Sequence, residues 1–122
     1  MTTKASGDEA EERALQWLQR QGLVLVRRNY RVARGPNARG GEIDLILRER
    51  DGTLVFVEVR RRRDTTHGGA AASVTATKQR RIVRAAQHFL TRSAVLPPCR
   101  FDVVAIDGEA LQWHRAAFDA EA

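Results

Sequence analysis

Residues Gly40 to Arg63, GGEIDLILRERDGTLVFVEVRRRR, constrain the fold more than any other stretch. Two apolar segments flank Asp51-Gly52, a hairpin signal. Side chains alternate faces along a strand, so the turn decides which residues meet. A two-residue turn at Asp51-Gly52 would pair Arg50 with Thr53, set Asp44 opposite Val59 and point Glu58 to the other side. A three-residue turn over Arg50-Asp51-Gly52 pairs Glu49 with Thr53 and puts Gly52 in the left-handed position such loops favour. Asp44 then lies opposite Glu58, and Glu42 opposite Arg60. This second register is preferred because it keeps Ile43, Leu45, Leu47, Val55, Val57 and Val59 on one face. It also brings two carboxylates to about 5 Å, where they repel by roughly 3 kcal/mol at an effective dielectric of 20. Like charges directly opposed weaken a sheet. A cation between them would remove the penalty, and a small cluster of oxygen ligands suits Mg²⁺ or Mn²⁺.

The elements around the hairpin follow from local signals. Ser6 to Glu9 has the S-x-x-E form of a capping box. A helix follows to Gln21, with Gly22 as its C-terminal stop and Ala14, Leu15, Trp17 and Leu18 as its apolar stripe. Leu23 to about Val32 reads as a first strand, ARGPNARGG as a loop, Glu42 to Arg48 and Leu54 to Arg62 as the hairpin strands. RDTTHGGAAAS has no periodic apolar pattern. Thr75 is the expected N-cap of a helix over Lys78 to Arg92, whose core face is Ile82, Ala85, Ala86, Phe89 and Leu90. RFDVVAI and ALQWHR, joined by the Asp107-Gly108 turn, complete the order α-β-β-β-α-β-β, an α/β fold with a mixed sheet and packed helices. The 122 residues suit one domain, with a loose N-terminal end over residues 1–6.

Glu11 stands at i, i+4 and i+7 with Leu15 and Leu18, so it points along the buried stripe while Glu9 and Glu12 point to solvent. A single inward glutamate is ordinarily a rim residue whose head reaches water. Aimed at two strand carboxylates, it becomes a third oxygen donor, because perturbed acids gather at functional sites.

Composition narrows the function classes. No apolar run approaches the ~20 residues of a membrane span, and the N-terminus lacks the layout of a secretion signal, so a cytoplasmic protein is expected. The single cysteine, Cys99, offers no intramolecular disulfide and is read as a small buried side chain; no Cys or His pair has zinc spacing. The net charge of +6 comes almost wholly from arginine, since Lys4 and Lys78 are the only lysines. A cationic surface points to nucleic acid as partner, against the plainer reading of a merely basic soluble domain.

Asp44, thirteen intervening residues and then Glu58-Val59-Arg60 resembles the PD-(D/E)xK signature of the restriction-endonuclease-like superfamily. The fuller string, with RNYR, GGEIDLI, LVFVEVR, AAASVTATKQRRI and CRFDVVA, resembles the YraN family of uncharacterised bacterial nuclease-like proteins. The resemblance runs from Glu11 to about Trp113. It implies a restriction-endonuclease-like core, similar to archaeal Holliday-junction resolvases. It implies that Glu11, Asp44, Glu58 and the Val59 carbonyl bind Mg²⁺ or Mn²⁺, activating water and stabilising charge on a scissile DNA phosphate. Resolvase-type cutting of two strands would require a homodimer.

One position departs from the signature: its usual lysine is Arg60 here. Arginine can neutralise a phosphorane and donate two bonds, but it cannot lose a proton near neutral pH. Either the lysine's task is electrostatic or the chain has lost activity and serves as a nucleic-acid-binding module. Lys78 at the start of a helix either reaches the site or a phosphate, or is a solvated helix residue. Arg61, Arg62, Lys78, Arg81 and Arg84, with His88 and Arg92, are the candidate backbone-phosphate contacts; the plain alternative is a solvated charged face. His67 has no identified partner. Trp17 and Trp113 are expected in the core, and Asp102 either behind the site or facing solvent.

Overall fold

Gly52 at the hairpin tip has φ +92, and Glu49 N–H donates to the Thr53 carbonyl at 2.9 Å. The three-residue turn is therefore the one formed. The computed structural model describes residues 3–33, 40–61 and 74–120, with side chains from residue 7 onward. Its order is α1 (Thr3–Arg20), β1 (Val24–Val32), β2 (Gly41–Arg48), β3 (Leu54–Arg61), α2 (Ala76–Leu90), β4 (Cys99–Asp107) and β5 (Ala110–Phe118). This α-β-β-β-α-β-β order is the expected one and agrees with a restriction-endonuclease-like core. The five strands lie side by side in sequence order. β1, β2 and β3 form an antiparallel meander, α2 carries the chain across so that β4 runs parallel to β3, and β5 returns antiparallel.

Burial explains the layers. β3 is the central strand, and Leu54, Val55, Phe56 and Val57 are all buried, the mark of a strand covered on both faces. On one side Ala10, Ala14, Leu15 and Leu18 of α1 pack on Leu45, Leu47, Val55, Val57, Val104 and Ile106. On the other, Ile82, Ala85 and Ala86 of α2 pack on Ile46, Phe56, Val103 and Ala105. Trp17 and Trp113 meet edge to face, 5.4 Å between centroids, at the border of the α1 layer. Gly22, at φ +99, ends α1 as expected: its N–H donates to the Gln19 carbonyl, and Leu23 N–H to that of Leu18.

Three expectations need correction. α1 begins at Thr3, so Ser6 lies within the helix rather than just before it. Cys99 is exposed rather than buried; it opens β4, where its thiol donates to the Pro97 carbonyl at 3.3 Å. Ile43 leaves the face of Leu45 and Leu47 and packs beneath α2. The cause lies in the neighbouring strand. Asn29, across from Asp44 between the pairs Arg28–Leu45 and Tyr30–Ile43, has φ +50. That left-handed residue turns β1 over: Arg28 pairs with Glu12 of α1, while Tyr30 packs under α2. β2 follows its partner, and the turning point is Asp44.

Candidate metal centre

The observed hairpin pairs Leu45 with Val57 and Arg48 with Leu54. Continued one step, this register sets Asp44 opposite Glu58, as expected. The ladder stops there because Asp44 replaces a backbone carbonyl with its own carboxylate: Oδ2 accepts the Val59 N–H at 2.8 Å. Asp44 is thus fixed on the seam between the two strands, with its second oxygen uncommitted to the ladder.

Glu58, only 3 % exposed, faces the α2 side. Its Oε2 lies 3.6 Å from Lys78 Nζ and 3.9 Å from Arg60 Nη1. Its Oε1 is buried with no hydrogen-bond partner among the described residues. Glu11 reaches in from α1 and also leaves Oε1 buried and unpartnered, while the Asn29 side chain donates to its carboxylate. Glu42 lies 3.5 Å from Lys78 Nζ and 3.6 Å from Arg31 Nε. Glu11, Glu42, Asp44, Glu58, Arg60 and Lys78 therefore come together from α1, β2, β3 and α2.

Backbone packing seats Lys78. A Cβ on Gly41 would stand 2.4 Å from the Arg81 carbonyl oxygen, so β2 and α2 approach main chain to main chain. Thr75 caps the helix, its hydroxyl accepting Lys78 N–H at 3.2 Å. The Lys78 side chain then leaves the first helical turn directly over the strand acids.

The electrostatics follow from this crowding. Desolvation raises the Glu58 pKa from its ordinary value of 4.5 to about 8, with the Asp44 charge as the next cause; Lys78 and Arg60 oppose the rise. Burial likewise raises Asp44, against the Val59 N–H that lowers it. Glu11 is raised by burial and then by Asp44. When both strand acids are ionised neither can donate to the other. Their repulsion is offset in part by Lys78 and Arg60, whose charges lower Glu58. Among the described residues, no three acids or histidines are already drawn together in ligating geometry. The donor chemistry still fits a hard divalent cation: the acids offer only oxygen, and two buried carboxylate oxygens lack partners.

The expected basic face of α2 is spread around the helix. Arg81 lines a cleft of about 370 Å³ with Arg31, Gly40, Gly41 and Glu42, next to the acids. Arg84 turns into a separate cleft with Arg80, Gln87 and Asp119. His88 meets the Tyr30 hydroxyl, and Arg92 lies over the Tyr30 and Phe89 rings. Arg61 ends β3 exposed. Arg62, Arg63 and His67 lie outside the described residues. Asp102 neither faces solvent nor serves the acid cluster. It is fully buried, accepting hydrogen bonds from Arg100 Nε, Trp113 Nε1 at 2.8 Å and Ala116 N–H at 2.9 Å.

Sequence reasoning missed Asn29, Arg31 and the Glu42–Lys78 pair. Asn29 had a signal: asparagine inside a strand tolerates positive φ far better than its neighbours do. Arg31 meets Glu42 through the β1–β2 register, whereas the Glu42–Lys78 pair depends on where α2 lands, which no local pattern encodes.

The model of the uncharacterised protein family UPF0102 matches residues 10–106, a span that holds Glu11, Asp44, Glu58, Arg60 and Lys78. The UPF0102 protein Mpe_A3766 of Methylibium petroleiphilum is 69% identical over 120 residues, covering 98% of each chain. UPF0102 proteins of Acidovorax sp. and Paracidovorax citrulli are 61% and 60% identical; each alignment covers 98% of this chain, with 88% and 86% of the respective relatives. Among the described residues no helix is long and apolar enough to cross a membrane.

Proposed function

From the premise that this chain belongs to the uncharacterised protein family UPF0102, the YraN family of the resemblance above, we propose that it is a metal-dependent endonuclease hydrolysing phosphodiester bonds in DNA, branched DNA included. The observation that carries the reading is the buried carboxylate of Glu58, opposed to Asp44 and left with an oxygen unpartnered among the described residues. Burying a charge without partners is costly, and a fold keeps such a group where a ligand completes it.

Glu11, Asp44 and Glu58, with the Val59 carbonyl, would hold Mg²⁺ or Mn²⁺. Bound there, such an ion would supply a nucleophilic water at neutral pH and positive charge opposite the scissile phosphate. The protein's own part is positional. The Val59 N–H orients Asp44. Arg60 is half-exposed, and its guanidinium would donate to phosphate oxygens as charge builds on them. Arg31 and Arg81, beside Glu42, and Arg61 at the end of β3 provide backbone-phosphate contacts without sequence choice. Symmetric cutting of two strands would take a homodimer.

The second reading is a binding module that keeps the fold and cuts nothing. Arg60 favours it, because a guanidinium cannot accept a proton from water. Pure protein incubated with end-labelled linear, flapped and four-way DNA, in Mn²⁺ or EDTA, separates the two. The expected result is cutting in Mn²⁺ that EDTA and Asp44→Asn abolish. Intact DNA at protein concentrations that shift its mobility would instead establish the binding module.

A further inference from the structure

Glu58 divides its carboxylate. Oε2 faces two cations, Lys78 Nζ at 3.6 Å and Arg60 Nη1 at 3.9 Å, while Oε1 is buried and unpartnered among the described residues. Asp44 has one oxygen committed to the Val59 N–H, and Glu11 has Oε1 unpartnered. The free oxygens and the oxygens held by Lys78 are therefore different atoms. Lys78 also spans Glu42 Oε1 at 3.5 Å, tying β2 to β3 from a third element.

Lys78 is poorly placed for helix stability. It sits in the first turn of α2, where the macrodipole is positive and an ammonium is disfavoured. A cation there gains only if an anion compensates, and the compensating anions are Glu42 and Glu58. Arg60 does not serve equally: it is farther from Glu58 and has no ion pair with Glu42 among the described residues.

We infer that Lys78, and not Arg60, is the fixed second cation of the acidic centre, so that the site takes one divalent ion rather than two. The inference rests on the metal-centre reading above. A divalent ion at the free oxygens leaves the Lys78 contacts in place. A second ion would need Glu42 and Glu58 Oε2, which Lys78 already occupies. Lys78 is thus a positioning residue for the acids and the group that limits metal loading.

Titration calorimetry with MnCl₂ on the full chain tests this, comparing wild type with Lys78→Met, Arg60→Met and Asp44→Asn, beside a thermal melt of each. Wild type is expected to bind one Mn²⁺ per chain. Lys78→Met is expected to bind the first ion about tenfold more tightly, because a like charge is gone, and to admit a second. Arg60→Met should keep a stoichiometry of one. If Lys78→Met melts lower yet binds one Mn²⁺ with wild-type affinity, Lys78 is only a strut for α2 and the inference is overturned while the metal centre stands. Two ions on wild type overturn it likewise. If wild type and Asp44→Asn both bind no Mn²⁺, the metal centre and the inference fall together. Lys78→Arg, which keeps the charge, should restore single loading.

Discussion

Asp102 and Glu58 stand on neighbouring parallel strands, and they are the two buried acids among the described residues. Asp102 is supplied with donors on every side: the Arg100 guanidinium, the Trp113 indole and the Ala116 amide. Arg100 in turn pairs with Glu49, and Glu49 with Arg115 at 3.5 Å. Glu58 has cations at 3.6 and 3.9 Å from one oxygen, no donor for the other among the described residues, and a like charge beside it. A saturated acid is part of the frame: it ties β4 to β5 and, through Arg100 and Glu49, to the turn between β2 and β3. An unsaturated acid is held by that frame against its own solvation. The difference in partners separates the two acids more sharply than burial does.

The contrast is broken or kept by one pair of matched substitutions. Asp102→Asn removes the charge from a network built to receive it and turns an amide N–H₂ toward existing donors. Loss of one member of a buried, hydrogen-bonded ion pair costs about 3–5 kcal/mol, a large share of the ~5–15 kcal/mol that holds a small domain. The urea midpoint should fall accordingly, with the slope of the transition unchanged. Binding of Mn²⁺ by the surviving folded protein should not change. A loss below about 1 kcal/mol would mean that the Asp102 network is ornamental.

Glu58→Gln should act in the opposite direction. In EDTA it replaces a destabilising ionisable group with a neutral one of the same shape, and without the chelator it is expected to bind no Mn²⁺. The sign of the pH dependence follows from linkage. The folded pKa, about 8, is above the ordinary 4.5, so the native state binds more protons than the unfolded chain between those values. Stability from this group is fully present below about pH 4.5 and is lost as pH rises through about 8. The full shift corresponds to about 5 kcal/mol, and relaxation around the new charge brings the expected loss to about 2–3 kcal/mol. Urea titrations in EDTA at pH 6 and pH 9 should show wild type weakening and Glu58→Gln nearly flat. A wild-type profile as flat as the variant's would show that Glu58 titrates normally and that its surroundings are not under electrostatic load.

What could be read beforehand divides along the same line. The turn at Gly52, the hairpin register, the Thr75 cap and the stop at Gly22 are local, each set by residues within a few positions of one another. They were legible because backbone chemistry has a small menu. The opposition of Asp44 and Glu58 followed from the turn alone, and so did the suspicion of a metal. The Asp102 network was not legible: Arg100 and Glu49 are 51 residues apart, and nothing in FDVVAI distinguishes an inward acid held by an arginine from one facing water. Lys78 was singled out as one of two lysines, yet its partners depend on the landing of α2, which Gly41 decides by letting the helix backbone approach.

Asn29 offers the smallest and finest test of the comparison, because it joins the frame to the site. Its positive φ turns β1, and with it β2, at the point where Asp44 must reach the Val59 amide. Its side chain also holds Glu11. Asn29→Gly keeps the backbone conformation and removes only the side-chain contact, so stability should change by less than about 0.5 kcal/mol. Asn29→Val puts a β-branched residue where φ is +50 and should cost about 1–2 kcal/mol. If the turn matters mainly to the frame, Mn²⁺ affinity will follow Glu11 and weaken equally in both variants. If the turn itself aims Asp44, the valine variant alone will lose most of its metal affinity, out of proportion to its melting temperature. The second result is expected, since Asp44 is tied to Val59 by a single hydrogen bond at the spot where both strands turn over.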